Sequence, residues 1–267
     1  MKRGLALEGG GAKGAYHIGV VKAFYEEGYE FDGFVGTSIG AINAAILAQG
    51  DFDKALEVWM NIAPDQIFTP EDQGFLPLID WKGLELNPDF ISSVKSAVSK
   101  VISGKAVSTE KMLGFLKEHI HEEKVRASGK DFGLVTVSLS ERKPCELLME
   151  DIPQKKLIDF IMASASFPGF NSVTIDGKKY FDGGFYNNCP VNLLEQMGYD
   201  EIIAVRVGSP NIPFQKINEG KNVKVISPKE GTGNMMVFSS EMSSANIKQG
   251  YYDGMCFIKE QKGNNYC

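Results

Sequence analysis

Histidine and cysteine are scarce in this 267-residue chain, at three and four residues. None of Cys145, Cys189, Cys256 and Cys267 forms a Cys-x-x-Cys pair, which excludes the common zinc frameworks and predicts no metal site. Cysteines this sparse are expected as reduced thiols in a cytoplasmic enzyme. A basic excess is absent too: 28 Lys and Arg face 34 Asp and Glu, for a net charge of −6. No field gathers nucleic acid, and an anionic membrane would hold the chain only through a local basic or apolar patch. No apolar run approaches the roughly 20 residues of a membrane-spanning helix. Leu5-Ala6-Leu7 runs into Glu8 and glycines too soon to be a secretory leader.

What is present is ordinary globular composition, 43% hydrophobic and 23% charged, with 29 glycines set at informative places. An apolar strand at Leu5–Leu7 leads into Gly9-Gly10-Gly11-Ala12-Lys13-Gly14. A helix follows, with Ala15, Ile18, Val21, Phe24 and Tyr25 at three- and four-residue spacings. A second strand at Phe34-Val35 ends on Gly36-Thr37-Ser38-Ile39-Gly40 and passes into a small-residue helix that stops near Gly50. Strand, glycine turn and helix, twice over, is the rhythm of an α/β fold with a parallel sheet. Further on, the pattern predicts helices over 89–103, 109–123, 153–164, 191–197 and 239–255. Strands are expected at 133–139, 145–149, 179–181, 201–207 and 223–226. No linker or repeat divides residues 1–267, so one domain is expected, with a variable insertion at about 64–130. Phe75, Leu76, Leu78, Ile79 and Trp81 in that insertion have two readings, a lid and core packing.

Gly36–Gly40 fits Gly-x-Ser-x-Gly, in which glycines without side chains let a tight strand-to-helix turn lift a serine hydroxyl off the sheet. An activated serine needs a base, and no histidine follows His121. His119 and His121 sit among Lys117, Glu118, Glu122 and Glu123 and read as a solvated face; His17 on the first helix reads as packing. Asp182 is the alternative base. Of four Asp-Gly pairs, at Asp32, Asp176, Asp182 and Asp253, only Asp182-Gly183-Gly184 carries a second glycine, at the end of a strand. Asp-Gly is also a common turn dipeptide, and an ordinary carboxylate is a feeble base for a hydroxyl. Gly9–Gly14 matches a dinucleotide fingerprint, but the second strand ends on Gly36-Thr37-Ser38 with no acid for a ribose, and no Gly-Lys-Ser/Thr closes a phosphate loop. Converging N–H groups in such a loop can equally form an oxyanion hole, worth roughly 3–4 kcal/mol per donor.

With these pieces in this order, the sequence resembles the patatin-like phospholipase family. Gly9 to Gly14 is similar to its oxyanion loop, Gly36 to Gly40 to its nucleophile elbow, and Asp182-Gly183-Gly184 to the acid of its Ser–Asp dyad. Ala163-Ser164-Ala165-Ser166-Phe167-Pro168 resembles its Ala-Ser-x-Ser-x-Pro segment, and Gly250-Tyr251-Tyr252-Asp253 the closing helix of bacterial members. The resemblance implies a three-layer αβα fold with a mostly parallel sheet and a lipid acyl hydrolase that needs no cofactor. Ser38 would be the nucleophile and Asp182 its base, with oxyanion donors at Gly10, Gly11 and Ala12, helped by Ile39. Lys13 is expected to anchor the loop by a salt bridge. The substrate would be an acyl lipid or phospholipid, met at a membrane or micelle surface. Two rival readings stay open: a catalytically silent lipid-binding protein of the same fold, and a nucleotide-binding oxidoreductase.

Overall fold

Alternation along the strands sets the layers. Leu5 and Leu7 in β1 (Arg3–Leu7), Phe34 in β2 (Gly33–Thr37) and Phe132 and Leu134 in β3 (Asp131–Ser138) all join one buried cluster. The residues between them, Ala6, Val35 and Val135, join a second. Side chains two apart share a sheet face, so these clusters are the two faces of one sheet. The described residues are 1–75, 107–167, 170–209, 217, 220 and 222–263 of a computed structural model.

In chain order, β1 is followed by α1 (Ala15–Glu26), β2, α2 (Ile39–Ala48), α3 (Phe52–Met60), α4 (Pro64–Ile67) and α5 (Pro70–Phe75). Next come α6 (Glu110–His119), α7 (Glu122–Ala127), β3, β4 (Lys143–Leu148), α8 (Leu157–Ser164), β5 (Val173–Ile175) and β6 (Lys178–Asp182). The chain continues through α9 (Val191–Gln196), β7 (Glu201–Val205), β8 (Val223–Ile226) and α10 (Ser240–Gln261). The sheet order is β5-β6-β3-β2-β1-β7-β8, with β4 on the other edge of β3. β3, β2, β1, β7 and β8 run parallel, while β4, β5 and β6 join antiparallel. Helices α1, α2, α3, α8 and α10 cover one face, and α9 covers the other with Val191, Leu193 and Leu194. This is a mixed, mostly parallel three-layer α/β architecture.

Glycine lets the thick layer close. A Cβ on Gly19 of α1 would lie 2.1 Å from the Ile247 carbonyl oxygen, and one on Gly250 of α10 would lie 2.2 Å from that of Tyr16. The two helices therefore pack backbone to backbone, and the Tyr16 hydroxyl donates to Asp253 Oδ2 at 2.9 Å across the seam. Helix α2 is buried along its whole length, from Ile39 to Ala48, which explains why its sequence carries no polar face.

Several expectations change. The stretch expected as one helix over 109–123 breaks at Ile120 and His121, whose extended backbone separates α6 from α7. Helix α3 was not expected, although Ala55 and Trp59 share its buried face. Cys145 and Cys189 carry thiols, but Cys256 is disulfide-bonded, which corrects the expectation of reduced thiols; spacing in sequence does not report pairing in space. The helix expected over 89–103 and the side chains of Phe75, Leu76, Leu78, Ile79 and Trp81 lie outside the described residues. Among the described residues, no helix is long and apolar enough to cross a membrane.

Candidate active site

Register, rather than chain proximity, brings the candidate residues together. β3 carries β2 on one edge as far as the Thr37–Val135 pair, and β4 lies on its opposite edge from Gly133 to Ser138. From Thr136 onward, the edge vacated by β2 is taken by β6 running the other way, with Thr136 opposite Asp182. The carboxyl ends of β2 and β6 thus meet head to head. Ser38 follows one end and Asp182 closes the other.

The elbow is tight. Ser38 has φ 56° and ψ −125°, a left-handed backbone conformation that costs a side-chain-bearing residue about 1–3 kcal/mol. It is tolerated because its neighbours fix it. A Cβ on Gly36 would strike the Gly40 backbone at 2.3 Å, and one on Gly40 would strike the Leu7 carbonyl oxygen at 2.1 Å. The Ser38 N–H donates to Ser164 Oγ at 2.9 Å. The Ser38 carbonyl accepts from Ala41 and Ile42, opening α2.

Asp182 is 2% exposed. Its Oδ1 accepts the Gly184 N–H at 2.7 Å, while Oδ2 is buried without a hydrogen-bond partner among the described residues. Burial pushes the carboxyl from an ordinary 3.8 up to about 7, opposed by the Gly184 N–H and then by the Ser38 hydroxyl. The hydroxyl is thus near enough to act on the carboxylate, yet the pair falls short of a well-formed hydrogen bond, as apo sites often do. Gly183 has to be glycine here, since a Cβ would sit 2.0 Å from the Val135 carbonyl oxygen.

The loop from Gly9 to Gly14 lies beside this pair: a Cβ on Gly9 would be 3.1 Å from that of Ser38. The N–H groups of Gly10, Gly11 and Ile39 have no hydrogen-bond partner among the described residues. The Ala12 N–H does have one, the Met235 carbonyl at 2.8 Å, which corrects its expected role as an oxyanion donor. The loop is pinned on several sides. Gly9 exchanges bonds with Asn188, N–H to carbonyl at 2.9 Å and side-chain amide to the Gly9 carbonyl at 3.1 Å. Beneath it, buried Glu8 accepts from the Arg206 guanidinium at 2.8 and 3.1 Å and from the Val207 N–H at 2.7 Å. Burial still raises the Glu8 carboxyl, with Arg206 opposing. Lys13 Nζ donates to the Gly208 carbonyl at 3.3 Å, another tie from the loop to the chain beyond β7.

His17 is fully buried against the Asn43 amide, and burial lowers its pKa to about 3, so it packs as a neutral ring. His119 is half-buried and sits edge-on to Phe115 rather than fully solvated.

Residues 5–194 match the patatin-like phospholipase family. The chain belongs to that family. It is 27% identical over 214 residues to the patatin-like phospholipase domain-containing protein ZK370.4 of Caenorhabditis elegans, covering 77% of this chain and 14% of that protein. It is 26% identical over 211 residues to lysophospholipase NTE1 of Kluyveromyces lactis, covering 77% and 12%. The chain thus spans about an eighth of the length of these curated relatives. In fold it is similar to VipD from Legionella pneumophila, with a TM-score of 0.59 and 18% identity over 97% of this chain and 67% of that one.

Beyond the matched residues of this patatin-like chain, β7 and β8 extend the same sheet beside β1, and α10 packs on α1. The residues that hold the site in place were largely hidden in the sequence. Ser164 and Ser166 were visible only as part of a family-like segment, and the role of each is now geometric: Ser164 Oγ holds the Ser38 N–H, and the Ser166 carbonyl takes the Asp182 N–H at 3.2 Å. Asn188 and Arg206 carried no local signal, because their partners lie 179 and 198 residues away.

Proposed function

We propose that this patatin-like protein is a serine lipid acyl hydrolase in which Ser38 and Asp182 act as a dyad. The observation that carries the reading is the Asp182 carboxyl: buried, its pKa near neutrality, with one oxygen unpartnered beside a serine held in a strained elbow. Proton transfer is most efficient from a group whose pKa lies near the working pH, so burial removes the objection that a carboxylate is too weak a base.

In the first half-reaction, Ser38 Oγ attacks the ester carbonyl carbon while its proton passes to Asp182 Oδ2. The negative charge that builds on the carbonyl oxygen is met by the N–H groups of Gly10 and Gly11, with Ile39 at the start of α2. When the tetrahedral intermediate collapses, the alcohol leaves with the proton from Asp182, and the acyl group stays on Ser38. In the second, Asp182 takes a proton from water, which attacks the acyl carbonyl; Ser38 leaves as the hydroxyl and a fatty acid is released. No step calls for a cofactor. The substrate is read as an acyl lipid of the phospholipid or lysophospholipid class, in line with the relatives' names, and met at a membrane or micelle surface.

The test is intact mass after exposure to a fluorophosphonate probe. A single adduct on the wild type that vanishes in Ser38→Ala is expected. Equal labelling of both proteins, or no labelling of a folded wild type with or without detergent micelles, overturns the proposal.

A further inference from the structure

Among the described residues, the sheet continues beyond Val135 only as β3, β4 and the β5–β6 hairpin, so two turns stand proud of its carboxyl edge, on the side where Ser38 and Asp182 meet. These turns, 139–142 and 176–177, lie side by side: the Leu139 N–H donates to the Lys179 carbonyl, and the Lys179 N–H donates to Ser140 Oγ. Arg142, Lys143, Lys178 and Lys179 are all exposed there. Glu141 is shared by Lys143 and Lys178, at 2.9 and 2.5 Å, and Asp176 is paired with Lys156 at 3.2 Å. Arg142 and Lys179 have no acidic partner among the described residues. In a chain of net charge −6, this corner is locally positive.

Apolar side chains are exposed at the same end. Of the six large hydrophobic residues most exposed among the described residues, three belong to loops at this edge. Leu139, 42% exposed, tips β3; Tyr186, 48% exposed, follows Asp182 by four residues; and Val237, 48% exposed, lies two residues beyond Met235, whose carbonyl holds the Ala12 N–H. Lys179 is three strand residues from Asp182, about 10 Å along β6.

We propose that this edge is a docking surface for an anionic lipid bilayer. Arg142, Lys143, Lys178 and Lys179 meet the headgroups, and Leu139, Tyr186 and Val237 enter the interface around the mouth of the site. The inference rests on the lipid hydrolase reading for its choice of a lipid surface. The overall negative charge does not oppose it at contact, because charges more than about 8–10 Å away are screened at physiological salt, and each cation near the surface adds its own attraction.

The experiment is co-sedimentation with vesicles of phosphatidylcholine alone and of phosphatidylcholine mixed with phosphatidylglycerol, run alongside hydrolysis of a short-chain soluble ester. The wild type should bind the anionic vesicles more tightly, and salt should weaken that binding. The double variant Arg142→Glu/Lys179→Glu should lose about 30-fold or more of the affinity while hydrolysing the soluble ester at the wild-type rate. Leu139→Ser should reduce binding to both vesicle types. Absence of binding, equal binding to the two vesicle types, or wild-type binding by the double variant overturns the docking surface. An inert soluble-ester assay with intact, charge-dependent vesicle binding counts against the hydrolase reading and leaves the surface standing.

Discussion

At neutral pH the Asp182 carboxyl is held where ionisation works against folding. Its folded pKa is raised from 3.8 to about 7, so between these values the unfolded chain gives up the proton while the folded chain keeps it. Stability from this group therefore falls as pH rises through that window, by about 1.36 kcal/mol per pH unit and about 4 kcal/mol in all. Asp182→Asn removes the titration. Its amide oxygen can keep the Gly184 N–H, and its NH2 takes the place of Oδ2. The variant should be inactive yet more stable than wild type, and its advantage should grow by about 2–3 kcal/mol between about pH 5 and about pH 8. Urea unfolding of both proteins at the two pH values reads this directly. A difference that is independent of pH, or that shrinks as pH rises, would refute the argument that burial sets the Asp182 pKa. The same ionisation predicts that wild-type hydrolysis of a soluble ester rises through about pH 7 as the base loses its proton.

Other outcomes follow from the same geometry. Ser38→Gly should be inactive but about 1–2 kcal/mol more stable than Ser38→Ala, because glycine relieves the left-handed φ; thermal melts compare the two. Ser164→Ala leaves the Ser38 N–H without its acceptor, so kcat for a soluble ester should fall about tenfold or more with KM little changed. Gly11→Ala would place a Cβ 2.2 Å from the Met235 carbonyl oxygen at a positive φ, and fluorophosphonate labelling should slow by a similar factor. Gly250→Ala forces α10 off α1 and should cost about 2–4 kcal/mol in urea unfolding.

The local pieces of this protein were legible in its sequence. Gly11, Gly36, Gly40 and Gly183 mark places where a Cβ would strike backbone, and Gly9, Gly10, Gly14 and Gly184 places where it would strike a packed side chain, so the constraint is written at the positions where it acts. The strand–turn–helix rhythm fixed the α/β class for the same reason, since periodicity is a local property. The register of β6 was not legible. That Asp182 faces Thr136, just past the end of β2, depends on pairing between segments far apart in the chain, and only this places an acid beside Ser38. The raised pKa of Asp182 is likewise tertiary, because burial arises from packing that no dipeptide encodes. The Ala12 donor failed on a carbonyl contributed by Met235, from the far end of the sequence. Residue type and spacing determined which groups could react; the pairing of distant strands and the exclusion of water decided which ones meet and in what protonation state.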